Sequence, residues 1–161
     1  LFMGGEMGVS CEWDHDAHLP WHEYDDPGHR GIATWVREPN SLLRREPALY
    51  ETDSDAGGFE WVDANDAERS ILSFLRWDRE RRWPVLVVMN ATPVPRHNVR
   101  IGVPRFGRWV ELVNSDARDL GGSGVGNAGG VDAAPVPAHG RPVSLVLTLP
   151  PLGLLVLAPA R

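Results

Sequence analysis

Val143-Ser144-Leu145-Val146-Leu147-Thr148-Leu149 sets leucines against small or polar partners at a period of two. Successive side chains of an extended chain point to opposite sides, so this is the pattern of a strand with one buried face. Its leucines are expected to point inward and Ser144, Val146 and Thr148 outward. Pro150-Pro151 ends the run, and Gly153-Leu154-Leu155-Val156-Leu157 reads as the next strand. Upstream, the same texture recurs in Val85 to Met89, Val99 to Val103 and Arg108 to Val113. Further upstream, Gly58 to Val62 and Ser70 to Leu75 flank Asp63-Ala64-Asn65-Asp66 and predict a hairpin. About seven short strands without helical periodicity imply an antiparallel two-sheet sandwich. Pro93, Pro95, Pro104, Pro150 and Pro151 fall at strand ends, where a missing N–H is tolerated. Gly121 to Gly130 lies between strands and is not followed by Gly-Lys-Ser/Thr, so it is expected to be a flexible surface loop rather than a phosphate loop.

The first 49 residues have a different texture. Leu1 to Met3 reads as an apolar strand end, followed by Gly4-Gly5-Glu6 and a polar loop to Asp26. An apolar strand that meets a glycine turn and then a carboxylate is the layout at the top of a β/α-barrel strand. Pro27 suits the first position of a helix, and Ile32, Trp35, Val36, Leu42 and Leu43 recur on one helical face. Pro39 predicts a kink or two short helices, with Asn40-Ser41 as a second cap, and Pro47 marks the end. One strand and one helix cannot cover each other. The expected fold class is therefore mainly β: an antiparallel sandwich over 50–161, preceded over 1–49 by the last strand, loop and helix of a (β/α)8 barrel. The chain opens within an apolar run and has no initiator Met, which reads as the tail of a larger enzyme. Its uncovered helical stripe is expected to drive self-association, or to pack across the sandwich.

Composition narrows the partners. A net charge of −6 argues against nucleic acid and acidic membrane faces. Cys11 is the single cysteine, so an internal disulfide is impossible. No basic-then-apolar leader or spanning stretch is read, and the cytoplasm is the expected compartment. Most of the seven Trp are expected to fill cores. Trp13 and Trp21, in a polar loop, are instead suited to stacking on sugar faces.

The cluster Asp14, His15, Asp16, His18 and His22 is rich in metal-ligating types, but its spacing fits no helical histidine pair or finger, so no metal and no cofactor are expected. A loop that contacts a hydroxyl-rich substrate, or ties itself down, is the favoured reading. Glu6 with Glu12, Asp14 or Asp16 could be imagined as a glycosidase acid–nucleophile pair. All four share one short loop, however, whereas barrel enzymes draw catalytic groups from several strand ends. Ser10 stands outside any Gly-x-Ser-x-Gly elbow, Cys11 has no activating cation beside it, and His97 and His139 sit in turns as structural or solvated groups. No catalytic residue is expected in this chain.

Several motifs, in order, carry a resemblance. Phe2-Met3-Gly4-Gly5-Glu6, Glu12-Trp13-Asp14-His15-Asp16, Leu19-Pro20-Trp21-His22 and Gly58-Phe59-Glu60-Trp61 come first. Asn90-Ala91-Thr92-Pro93-Val94-Pro95-Arg96-His97, Gly121 to Asn127, His139-Gly140-Arg141 and Leu147 to Leu152 follow. Together they resemble the C-terminal portion of bacterial 1,4-α-glucan (glycogen) branching enzymes, nearly over the whole chain. The resemblance implies an α-amylase-type barrel followed by an all-β domain. It implies cleavage of α-1,4-glucan and transfer of the released chain to a 6-hydroxyl through a covalent glycosyl-enzyme, in glycogen biosynthesis. The Asp nucleophile, the Glu acid/base and the assisting Asp of that family lie on earlier strands, so this chain alone is expected to be inactive. Its partners would be α-glucan and the remainder of the barrel. Glu6, Trp13, Asp14, His15, Asp16 and Trp21 are the substrate-adjacent candidates. The chain departs from the family at Met7 (usually Phe), Asp14 (usually Asn) and Arg37-Glu38-Pro39-Asn40 (usually Arg-Asp-Leu-Asn). A stand-alone carbohydrate-binding sandwich and a small metal-dependent hydrolase are the competing readings.

Overall fold

A computed structural model describes residues 2–161. After the N-terminal loop come a helix, α1 (Pro27–Arg45), and eight strands: β1 (Phe59–Asp66), β2 (Ile71–Arg76), β3 (Val85–Asn90), β4 (Arg96–Val103), β5 (Arg108–Asn114), β6 (Gly130–Asp132), β7 (Val143–Leu149) and β8 (Gly153–Pro159). They form a six-stranded sheet of order β1-β2-β3-β8-β5-β6 and a two-stranded sheet β4-β7. All pairings are antiparallel.

The alternation in β7 does what its sequence demands. Leu145, Leu147 and Leu149 are fully buried against Leu75, Leu86, Val88, Leu155, Leu157 and Trp109 of the facing sheet. Ser144, expected outside, is buried as well; its Oγ donates to Val136 O at 2.7 Å and accepts from Arg100. The β1–β2 hairpin forms, but β1 runs through Asp66 and the turn falls at Ala67–Ser70. Asp66 Oδ1 accepts from Arg69 N at 3.3 Å, which fixes the later turn. β6 had no apolar run to announce it and pairs only through Gly130, Val131 and Asp132.

The larger sheet buries apolar side chains on both faces. Its second face carries Val85, Val113, Val156 and Ala158, and Leu42 of α1 with Ala48 packs on them, flanked by Trp35 and Leu49. The helical stripe thus packs across the sandwich, the second of the two expected outcomes, while Ile32 and Leu43 stay exposed. Asp26 caps α1 by accepting from Gly28 N at 2.7 Å, with Pro27 at the first position. Pro39 does not divide it: α1 is one element of 19 residues, and Asn40 lies inside it instead of starting a second helix. The Asn40 amide donates to Val36 O at 2.8 Å, replacing side-chain capping with an internal tie.

The strand end expected at Leu1–Met3 falls partly outside the described residues. Phe2 is irregular and Met3–Gly8 form overlapping turns closed by local bonds such as Gly5 N to Phe2 O and Met7 N to Gly4 O. No described helix is long and apolar enough to cross a membrane.

Candidate functional site

The site is built on consecutive turns before α1. Gly5 N donates to Phe2 O at 2.7 Å and Met7 N to Gly4 O at 3.0 Å, and Met7 is buried. Gly4 has φ +91°, and a Cβ there would stand 2.8 Å from Val9, so only glycine fits. Glu6 does not face the following loop; it folds back to accept from Gly4 N at 3.2 Å. Next, Ser10 meets Glu23 of the 3-10 turn Trp21–Asp25. The Ser10 hydroxyl donates to Glu23 Oε1 at 2.5 Å and its N–H to Oε2 at 2.9 Å. His29, in the first turn of α1, donates from Nδ1 to Met7 O at 2.9 Å and brings Nε2 to 3.7 Å from Glu23 Oε2. The Ser10 hydroxyl and then its N–H hold the Glu23 carboxyl below its ordinary value, against the effect of burial, with His29 and His22 adding a smaller push the same way.

Between Ser10 and Trp21 the chain is open to water. Trp13 is 49% and Trp21 64% exposed. Trp13 meets Phe2 edge-on at 5.1 Å and lies 6.0 Å from the His15 ring. Asp14 Oδ1 accepts from Asp16 N at 2.9 Å, and His15 Nε2 stands 3.2 Å from Asp16. The structure therefore brings Trp13, Asp14, His15 and Asp16 together, and places Glu6 and Trp21 at the loop's two ends. One ligand atom from each of Asp14, His15 and Asp16 lies within 4.8 Å of the others. All three residues face solvent, as an ion-paired loop tip does. The sequence reading missed Glu23 and His29. The only available signal was a carboxylate and an imidazole six residues apart beside a helix start, which alone means little.

Other motif residues prove to be architectural. Glu60 accepts from Trp77 Nε1 at 2.9 Å and Arg81 at 2.8 Å, and also pairs with Arg141 of the His139-Gly140-Arg141 motif. His139 accepts from Gly102 N at 3.0 Å, with Nε2 3.5 Å from Asp63. The glycine-rich stretch is not a free loop. Asp116 accepts from Ser123 N, Ser123 Oγ and Val125 N, and Glu111 from Asn127 and Gly129. Asn127 also exchanges two hydrogen bonds with the Thr148 backbone. A second exposed aromatic group lies on the edge of the larger sheet, where Phe59 stacks on Phe74 at 5.1 Å and Trp61 meets both edge-on.

The strands form an antiparallel two-sheet domain, a six-stranded sheet facing two strands, with turns and a helix leading into it. Residues 61–160 match the model of the alpha-amylase C-terminal all-beta domain, and the chain belongs to that family. Across 98% of its length it is 53% identical to the 1,4-alpha-glucan branching enzyme of Aquifex aeolicus, and across 99% it is 54% identical to that of Aromatoleum aromaticum. It spans about a quarter of each of those enzymes (25%). A crystal structure of the alpha-amylase from H. orenii superposes with a TM-score of 0.46 at 19% identity, covering 80% of this chain and 20% of that one.

Proposed function

We propose that this chain works as the C-terminal portion of a 1,4-α-glucan branching enzyme, which cleaves α-1,4-glucan and rejoins the chain at a 6-hydroxyl in the cytoplasm. The single observation that carries this reading is identity above one half to branching enzymes along almost every residue, the loop before α1 included. The catalytic carboxylates belong to the preceding barrel. Trp13, Asp14, His15, Asp16 and Trp21 belong to the loop that meets glucan and Glu6 borders it, and flat exposed rings such as Trp13 and Trp61 suit the apolar faces of glucosyl units. A stand-alone carbohydrate-binding sandwich leaves unexplained why identity extends through the first 49 residues as well. With Ile32, Leu43 and Leu152 exposed, the isolated chain self-associates at high concentration.

The test is a branching assay on amylose, followed by debranching and chain-length analysis. The full-length protein that carries this chain should form α-1,6 links, and residues 1–161 alone should form none. Branching by the isolated chain would overturn the reading.

A further inference from the structure

The loop from Ser10 to Glu23 has its two ends tied together by the Ser10–Glu23 pair of hydrogen bonds, while its interior bonds, Ala17 N to Asp14 O at 3.2 Å and Asp16 N to Asp14 Oδ1, are local. That is the form of an Ω-loop, whose shape depends on what closes its neck. Residues 11–18 are all exposed, as is Ser10, whereas the groups that meet it at the neck are mostly covered: the Glu23 side chain is 15% exposed and that of His29 22%. Every substrate-side candidate except Glu6 lies inside this loop.

We propose that Glu23 and His29 are positioning residues: Glu23 clasps the loop at Ser10, and His29 bolts that clasp to Met7 and α1. The inference rests on the branching-enzyme reading and adds to it. Trp13, Asp14, His15, Asp16 and Trp21 have few other anchors, so the clasp sets where their side chains stand when glucan arrives. Glu23 suits the task because a carboxylate accepts at both oxygens, one for the hydroxyl and one for the N–H. A glutamine could keep both contacts by donating to the Ser10 hydroxyl, so the probe is Glu23→Leu, which is close in volume and has no acceptor at all. Ser10→Ala removes only the hydroxyl bond and is the milder probe.

The experiment measures KM and kcat of full-length enzyme for amylose, with Glu23→Leu, Ser10→Ala and the double variant. Loosened positioning is expected to raise KM about three- to tenfold in each single variant, with kcat changed less. The double variant should be no worse than Glu23→Leu alone, because both substitutions open one neck. A general folding defect would behave differently: it lowers the active fraction, so kcat falls while KM holds. A KM rise below threefold in both single variants, whatever kcat does, overturns the clasp. Absence of α-1,6 branching by the unmutated full-length protein would instead overturn the underlying reading.

Discussion

Asn90 shows what a motif residue can do without touching a substrate. It is fully buried at the end of β3. Its amide donates to Val94 O and Pro150 O, both at 2.8 Å, and its carbonyl accepts from Thr92 N and Oγ1. Asn90→Ala strands the buried Pro150 carbonyl, unties Val94 and Thr92, and should cost about 2–4 kcal/mol in a denaturant melt of the isolated chain. Ser73 is the opposite case. It is fully buried in β2, and its Oγ has no partner among the described residues. A hydroxyl without a partner in an apolar core opposes folding, so Ser73→Ala should leave stability unchanged or raise it by up to about 1 kcal/mol. A loss of more than that would mean the hydroxyl has a bond it does not show. Neither environment could be read from sequence, because burial and partners depend on segments up to 60 positions away.

At the scale of elements, periodicity gave β1 to β5, β7, β8 and the apolar stripe of α1, since these are set by local geometry and one buried face. It failed where the determinants were polar and distant. Gly121 to Gly130 looked flexible because glycine permits many conformations, yet Asp116 and Glu111 gather its N–H groups from outside the stretch. Burial would raise the Asp116 carboxyl, but bonds from Ser123, Val125 and Gly124 outweigh it and hold the group below its ordinary value. A depressed folded value means the stabilisation is complete above the unfolded value near about pH 4. It is lost as pH falls through the lower folded value. Acid unfolding should therefore steepen below about pH 4, and Asp116→Asn should flatten that limb. Pro39 is the second failure. Its ring removes the N–H that would donate to Trp35, yet α1 continues because its packing on the sheet outweighs the lost bond. The conflict remains as a cost: Pro39→Ala should raise stability by about 1–3 kcal/mol, read as a higher midpoint in thermal melts. The loop clasp was illegible for the same reason as the glycine stretch, since Ser10 and Glu23 stand 13 residues apart.

For the molecule as a whole, what matters is that the larger sheet needs cover on two sides. β4 and β7 cover one. On the other, Val85, Val113, Val156 and Ala158 would meet water were it not for Leu42, Ala48 and their neighbours. A chain cut at the expected boundary near residue 49 would lose Leu42, Ala48 and their neighbours, one side of this second apolar cluster. Leu42 is 2% exposed, and Leu42→Ala should cost about 2–4 kcal/mol through lost transfer energy and a cavity. Residues 50–161 alone retain the sandwich interior, including Trp109 and the three β7 leucines, so they should still fold. They should also expose the valine face, bind a hydrophobic dye, and elute in size-exclusion chromatography as a larger species than residues 1–161 at equal concentration. A monodisperse, dye-negative 50–161 fragment would show that α1 contributes no cover, and the helix would then owe its place to the barrel alone. The opposite result explains why the loop before α1 can be set so finely: the clasp at Ser10 and Glu23 is bolted to a helix that is itself fixed on the sheet.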